Sequence, residues 1–426
     1  MKIVHLNRSD ILGGAARAAY RLHGGLSKQG YDSSMFVSHK GSNDPSVKCF
    51  ALPVDFLSRM RRALLRELIW RDFMRYKNSR RSGDVSFSDC RSEHGAALLR
   101  QLPHSEVIHL HWIAGFVDYR SFLARVPNHI PIVWTLHDMN PFTGGCHYTE
   151  DCRRFVESCG ECPQLGSNKV RDLSRWIWKQ KQKIFDQIDP ERLHVVALCR
   201  WMAAEVKCSS LLGRFNVTII ANGLDTDLFS PRNRAVAREA FQIPENARVV
   251  LFVAHSIVDR RKGFTLLAEA LAGMGGIDDL FLLSLGEGKP ALKVEIPHLH
   301  LGYINNERML SLVYSAADVF VIPSLQEAFG QTALESMACG TPVVGFDVGG
   351  IPDFVRHGKT GLLAPLRDVR ELRSAIVELL QDPAKRDEMA AHCRRVAEKE
   401  YSYQVQVRRY VDLYKAILGE RVGQPC

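Results

Sequence analysis

"KIVHLNRSDILGGAARAAYRLHGGLSKQG", residues 2–30, opens with a short apolar run and changes after Gly13 and Gly14 to a helical pattern. A brief apolar run, a glycine turn and a helix read as one strand–turn–helix unit. "SSMFVSH" (33–39), "VIHLHW" (107–112) and "IPIVWTLHD" (130–138) are further strand candidates, separated by helical or loop-like segments. Strands that alternate with helices imply a parallel sheet covered by helices on both faces.

The pattern begins again after the turn-rich stretch "TIIANGLDTDLFSPRN" (218–233). From "RVVLFVAH" (248–255) to "TPVVGFD" (341–347), strand-like and helix-like segments alternate in regular order. Two doubly wound α/β domains follow, with expected bounds 1–221 and 222–398 and a closing helical segment at 399–426. In that segment Val405, Tyr410, Leu413, Tyr414 and Ile417 lie near helical spacing and predict an amphipathic helix.

The chain has 426 residues, 46% hydrophobic and 24% charged, which suits a globular protein with a sizeable core. It has no long apolar run of membrane-spanning length and no signal-like N-terminus, so the expected location is cytoplasmic. Eleven cysteines in a reducing compartment are expected to be core residues or metal ligands rather than a disulfide framework. The net charge of +9 is concentrated: residues 56–81 hold nine basic against two acidic residues.

"LQEAFGQTALESMACGTPVV" (325–344) sets Glu327 and Glu335 eight positions apart in an otherwise apolar, small-residue stretch. With "QTALESMACG" as a helix, Glu335 lies within it and Glu327 on the loop before it. The amides near Phe329, Gly330 and Gln331 then form a helix N-terminus, where anions are favoured. Carboxylates on either side of an anion site suit a diphosphate joined to polyols, as in a nucleotide sugar. Spacing alone also allows two glutamates that simply face water.

The wider context, "GYINNERMLSLVYSAADVFVIPSLQEAFGQTALESMACGTPVVGFDVGGIPDFV" with "GKTGLLAP" after it, resembles the signature region of glycosyltransferase family 4, the retaining group 1 enzymes. The likeness extends to the glycine turn, "LHD" at 136–138, "ANGLDTDLF" and "RRKGF" at 260–264, and is strongest to the colanic acid and exopolysaccharide branch. It implies a GT-B fold: two Rossmann-like domains, an interdomain cleft, and a last helix that returns to the N-terminal domain. Donor would bind the C-terminal domain and acceptor the N-terminal one.

By the same resemblance Glu335 would hold the ribose and Glu327 the donor sugar. Lys262 would neutralise the diphosphate leaving group. The family's usual arginine position is Ile257 here, so Arg261 or Arg260 would substitute. Gly13 and Gly14 would offer amides to the diphosphate, Tyr303 and Ile304 backbone contacts to the base, and His137 a contact with donor sugar and acceptor. The implied reaction is a metal-independent transfer with retention, from a nucleotide-diphosphate sugar to a saccharide that is expected to be lipid-linked, in surface polysaccharide assembly. An epimerase or phosphorylase of the same fold, or a non-catalytic zinc-bearing scaffold, is the competing expectation.

"DTD" (225–227) fits a metal-binding pattern, but its neighbours Asn222 and Gly223 favour turn chemistry. Cys146, Cys152, Cys159 and Cys162 have zinc-knuckle spacing in "CHYTEDCRRFVESCGECPQL", with His147 as an alternate ligand. Packed free thiols and a redox-sensitive disulfide are the alternatives. In 56–81, Leu57, Met60, Leu64, Leu68, Leu65, Ile69 and Phe73 form a broad apolar face beside arginines. That face predicts either contact with an anionic membrane at its inner surface or packing on the core. No nucleic-acid-binding motif accompanies the charge.

Overall fold

The apolar runs become strands of two all-parallel sheets in a computed structural model that describes residues 1–80, 86–290, 292 and 295–419. The chain divides into two compact units, Met1–Ala221 with Gln406–Cys426, and Asn222–Val405.

In the first unit the strands are β1 (Lys2–Ser9), β2 (Asp32–His39), β3 (Val47–Cys49), β4 (Val107–Leu110), β5 (Ile132–Leu136), β6 (Leu193–Ala197) and β7 (Asn216–Ile219). Their order is β3-β2-β1-β4-β5-β6-β7. Chain direction across the sheet therefore reverses between β1 and β4, and crevices for ligands open beyond the carboxyl ends of strands at such a reversal. β4 and β5 are buried along their whole length, as strands covered on both faces must be. Trp134 of β5 packs edge-on against Tyr119, their ring centres 5.3 Å apart.

Helix Gly14–Lys28 buries Ala16, Ala18, Ala19, Leu22 and Leu26. The small alanines let its axis approach the sheet closely. Gly13, at φ 89°, turns the chain into it in a conformation that a side chain would strain.

The helix Tyr403–Ile417 adds its residues from Gln406 onward to the first unit. Its buried face is Gln406, Val407, Tyr410, Val411, Leu413 and Tyr414. Val405 and Ile417, expected on that face, are only partly buried. The reason is polar: the Tyr410 hydroxyl lies 2.7 Å from Thr135 Oγ1 and the Tyr414 hydroxyl 2.7 Å from His109 Nδ1, which sets the helix rotation. Buried hydroxyls require partners, and these fix the orientation.

The second unit contains β8 (Arg248–Ser256), β9 (Leu280–Glu287), β10 (His298–His300), β11 (Val319–Ile322), β12 (Val343–Phe346) and β13 (Gly361–Ala364). They are ordered β10-β9-β8-β11-β12-β13, with the reversal between β8 and β11. Its core joins Val250, Phe252, Phe264, Leu267, Val321, Phe346, Leu372 and Ile376. Each such side chain contributes about 1.5–3 kcal/mol on burial.

Helix Phe56–Met74 stands apart because none of its residues is fully buried. Leu65, Ile69 and Phe73 are partly covered, whereas Leu57, Met60, Leu64 and Leu68 are 77%, 57%, 62% and 42% exposed. The single broad face expected from the sequence is thus two faces, one packed and one open. Arg81, at the end of the basic stretch, lies outside the described residues. No helix among the described residues is long and apolar enough to cross a membrane.

Candidate active site

In the second unit the loops after β8 and β11, the two strands that flank the reversal, carry the charged residues. After β8 the turn Arg260–Lys262 is capped by Asp259, whose Oδ1 accepts from the Arg261 amide at 2.9 Å. Gly263 follows at φ 73°, and a Cβ there would lie 1.8 Å from the Pro323 carbonyl. Only glycine lets this turn lie against the end of β11.

Lys262 is thereby brought to Glu327, with Nζ 2.5 Å from Oε2. Ser324 Oγ donates to the same oxygen at 3.4 Å. Arg261 Nη1 lies 3.8 Å from it and donates to the Gln326 carbonyl at 2.9 Å. Burial is the largest influence on the Glu327 carboxyl and would raise its pKa, but Lys262 and then Arg261 outweigh it and hold it below the ordinary range. Burial pulls the Lys262 ammonium down, partly offset by Glu327. Little of the pair is exposed.

The two arginines that stood as alternatives for one role are separated. Arg261 is held at Glu327, whereas Arg260 is exposed. Ile257 is buried, 4% exposed, so its position could not present a guanidinium without rebuilding the turn.

Helix Gln331–Ala338 starts at Gly330, which is left-handed at φ 97° and has Phe354 and Glu327 closely packed where a Cβ would be. Glu335 lies inside this helix, buried, and accepts from the Tyr314 hydroxyl at 3.0 Å. Gln331, the first helical residue, holds both its amide nitrogen and its amide oxygen buried with no hydrogen-bond partner. An unsatisfied amide at a helix N-terminus is costly for the protein alone and is a ready contact for a polar ligand. Phe329 is buried against Phe354, ring centres 5.2 Å apart. Tyr303 is 41% exposed and edge-on to His255, and Ile304 is half-buried.

In the first unit His137 follows the last residue of β5 and is half-buried. Burial lowers its pKa to about 4, against the opposing pull of Asp138, so the ring is neutral at pH 7. Its Nε2 is 3.2 Å from His111 Nδ1, and His111 Nε2 is 3.0 Å from His5 Nδ1. His5 Nε2 is buried and has no partner. Neutral imidazoles in such a chain share one proton per contact. A bare His5 Nε2 costs less than an orphaned N–H there, so the protons point from His5 through His111 to His137. His137 then accepts at Nε2 and carries its own proton on Nδ1.

Asp138 is buried and engaged: Oδ2 accepts from Trp112 Nε1 at 2.7 Å and from His147 Nδ1 at 2.6 Å, and Oδ1 from the Asn140 amide at 2.9 Å. His147 Nε2 is 2.8 Å from Ser88 Oγ. With both ring nitrogens occupied, His147 is not the alternate metal ligand expected from the sequence. At the glycine turn, Asp10 draws the loop beyond β2 toward Gly13 and Gly14 by accepting from the Gly41 and Ser42 amides at 2.8 and 2.9 Å. The "DTD" carboxylate of Asp225 accepts from the Asp227 and Leu228 amides, as turn chemistry requires. Ser324, Tyr314, Asp10, Trp112, His5 and His111 carry no motif of their own: Ser324, Asp10, Trp112 and His111 lie just beyond strands, His5 within β1 and Tyr314 on helix Glu307–Ala316.

The sequence of residues 12–228 matches the family described as Glycosyltransferase Family 4, and residues 247–382 match Glycosyl transferases group 1. A D-inositol 3-phosphate glycosyltransferase of Thermobispora bispora is 32% identical over 351 residues, covering 74% of this chain and 72% of the relative. Sucrose-phosphate synthase of Thermosynechococcus elongatus superposes with a TM-score of 0.68 at 21% identity, over 98% of this chain and 100% of that one. Anabaena HepE, solved in complex with UDP and glucose, gives a TM-score of 0.68 at 17% identity with the same coverage. The folds of these structures are GT-B, as is that of the present chain. With a match to one family description over half its length and a second over most of the other unit, the chain belongs to glycosyltransferase family 4, the group 1 glycosyltransferases.

Proposed function

We propose that this glycosyltransferase moves a sugar, with retention and without a catalytic metal, from a nucleotide-diphosphate sugar to a saccharide acceptor carried on a lipid. The observation that carries the donor reading is the orphaned Gln331 amide at a helix N-terminus, four residues after Glu327 and four before Glu335. Glu335 binds the ribose hydroxyls, and Glu327 orients the donor sugar with the Phe329 and Gly330 amides. Lys262 and Arg261 stabilise the charge that develops on the departing diphosphate, the role a divalent ion plays elsewhere. By the family resemblance, the Gly13–Gly14 turn of the first unit offers amides to a diphosphate and His137 a contact to sugars, and Tyr303 and Ile304 of the second unit flank the base.

The acceptor reading rests on the resemblance to the exopolysaccharide branch and on helix Phe56–Met74. Its open apolar row of Leu57, Met60, Leu64 and Leu68 beside exposed Arg59, Arg61, Arg66 and Arg71 suits the surface of an anionic bilayer, where a lipid-linked acceptor resides. Surface polysaccharide assembly at the inner face of the cytoplasmic membrane is the setting that combines these features.

The test is turnover with radiolabelled UDP-sugars and then other nucleotide sugars, against lipid-linked saccharides and inositol phosphate as acceptors. Product with a retained anomeric configuration, formed in the presence of a chelator, is expected. Donor conversion without acceptor would mark an epimerase, a phosphate requirement a phosphorylase, and transfer to inositol phosphate alone would displace the polysaccharide reading.

A further inference from the structure

Four cysteines of the segment that follows β5 surround one small cavity. Cys146, Cys152, Cys159 and Cys162 line it with Phe155 and Ser174, and its volume of about 20 Å³ is room for a single ion or water. Cys146, Cys159 and Cys162 are each less than a tenth exposed, Cys152 is half-buried, and all four are free thiols.

The chain around the cavity is bent to present sulfur inward. Between Cys159 and Cys162, Gly160 and Glu161 have φ of 142° and 45°. A left-handed glutamate is an uncommon conformation that persists where its surroundings impose it. Cys159 Sγ accepts from the Gly144 amide at 3.1 Å, and the Cys162 backbone is fixed by its amide donating to Asp172 Oδ2 at 2.8 Å and its carbonyl accepting from the Leu165 amide at 3.1 Å. A donor such as the Gly144 amide favours sulfur in its anionic form. Gly144 permits the approach, since a Cβ there would lie 2.7 Å from Cys159 Cβ and 2.4 Å from the Ser174 carbonyl.

A second, independent observation concerns charge. Lys181 is 0% exposed, and its ammonium donates only to the carbonyls of Asn140 and Thr143. Among the described residues no carboxylate forms an ion pair with it within 4.0 Å. Asp89 is engaged by Arg91 at 2.6 Å. A buried ammonium with only neutral acceptors is expensive unless negative charge is close by. The Thr143 carbonyl that it holds immediately precedes Gly144, whose amide donates to Cys159 Sγ, so the ammonium stands beside the sulfur-lined segment. Four thiolates on a divalent ion carry two net negative charges, which Lys181 would offset in part.

We infer that Cys146, Cys152, Cys159 and Cys162 bind one structural zinc ion, with Lys181 as a counter-charge. No three of the sulfurs lie within 4.8 Å of one another, so the ion draws them inward to bonds of about 2.3 Å. Binding occurs with loss of the four thiol protons to solvent and no change of oxidation state. The ion ties down the segment that supplies Asn140 and His147 to Asp138, one residue beyond His137.

Elemental analysis of the full chain, purified without chelator, should find about one zinc per protein, and cobalt exchanged into the site should give a thiolate charge-transfer band. Cys159→Ser combined with Cys162→Ser should abolish both signals. Because that variant is at risk of misfolding, Lys181→Gln provides a second reading: it keeps donors for the Asn140 and Thr143 carbonyls but removes the charge. It should lose zinc to a competing chelator at roughly tenfold lower concentration. A folded protein without zinc that gives no cobalt band overturns the proposal, as does a disulfide found among the four cysteines by mass spectrometry. Unchanged zinc retention in Lys181→Gln overturns the counter-charge assignment.

Discussion

Lys262 Nζ and Glu327 Oε2 are 2.5 Å apart in a setting that leaves only 22% and 9% of the two side chains exposed. The pair couples the loop after β8 to the loop after β11, so stability and the proposed leaving-group role depend on the same contact. Lys262→Ala should lower kcat by about 10²–10³, the loss typical of one electrostatic donor to a developing anion. It should also lower Tm, because the buried carboxylate is left with the Ser324 hydroxyl at 3.4 Å and Arg261 at 3.8 Å. Lys262→Met with Glu327→Leu should regain Tm but not activity. A double variant as unstable as the single one would show that the ion pair is not what the alanine variant disrupts.

Glu335→Ala should weaken binding of the cognate nucleotide diphosphate by tenfold or more, on the order of one charge-assisted hydrogen bond. Tyr314→Phe, which removes the 3.0 Å bond to Glu335, should cost about 1 kcal/mol of stability with a smaller effect on affinity. Calorimetry with both proteins would separate the two, and equal affinity in Glu335→Ala and wild type would remove the ribose role.

Gly263→Ala has no conformation without a clash, since φ is 73° and the Cβ would meet the Pro323 carbonyl at 1.8 Å. The turn must move and carry Lys262 with it. We expect a fall in kcat comparable to that of Lys262→Ala, with a nucleotide affinity less affected than in Glu335→Ala. Wild-type turnover by a soluble Gly263→Ala protein would refute the positioning argument.

Burial lowers the pKa of His137 to about 4 and those of His5, His109 and His111 well below 6.5. The folded state then binds fewer protons than the unfolded chain, so their contribution is complete above pH 6.5 and is lost as pH falls toward 4. Each histidine forced to remain neutral costs on the order of 1 kcal/mol near pH 5. Depressed carboxyls such as Asp138 weaken the fold only at lower pH. Urea unfolding should give a distinctly lower stability at pH 5 than at pH 7. A flat profile over that interval would mean that the histidine cluster takes up protons without opening.

Leu57→Ser, Met60→Ser and Leu64→Ser together should abolish co-sedimentation with anionic vesicles and leave Tm within about 1 °C, because these side chains are mostly exposed already. Unaltered vesicle binding would exclude this face of the helix as the contact.

Periodicity alone was sufficient for the two α/β sheets, because a strand buried on both faces must be written as an apolar run and a doubly wound fold repeats it in order. The glycine turn and the places of Glu327, Glu335 and His137 at strand ends and helix starts were legible for a related reason, since these are short, local features, whereas Lys262 was singled out by the family resemblance. Edge strands of three or four residues, β3 and β13, left no comparable signal.

What required the tertiary structure were the choices between chemically equivalent residues. Arg261 rather than Arg260 meets Glu327, because the turn fixed by Gly263 and Asp259 points one guanidinium at β11 and the other into solvent. His147 serves Asp138 instead of a metal. Helix Phe56–Met74 has one apolar face packed and one open, a division that helical spacing does not contain. The histidine chain behind His137 joins His5 of β1 to His111 just beyond β4, 106 positions apart. Sequence records the types of residue the chemistry needs, whereas distances across parallel strands decide which of them meet.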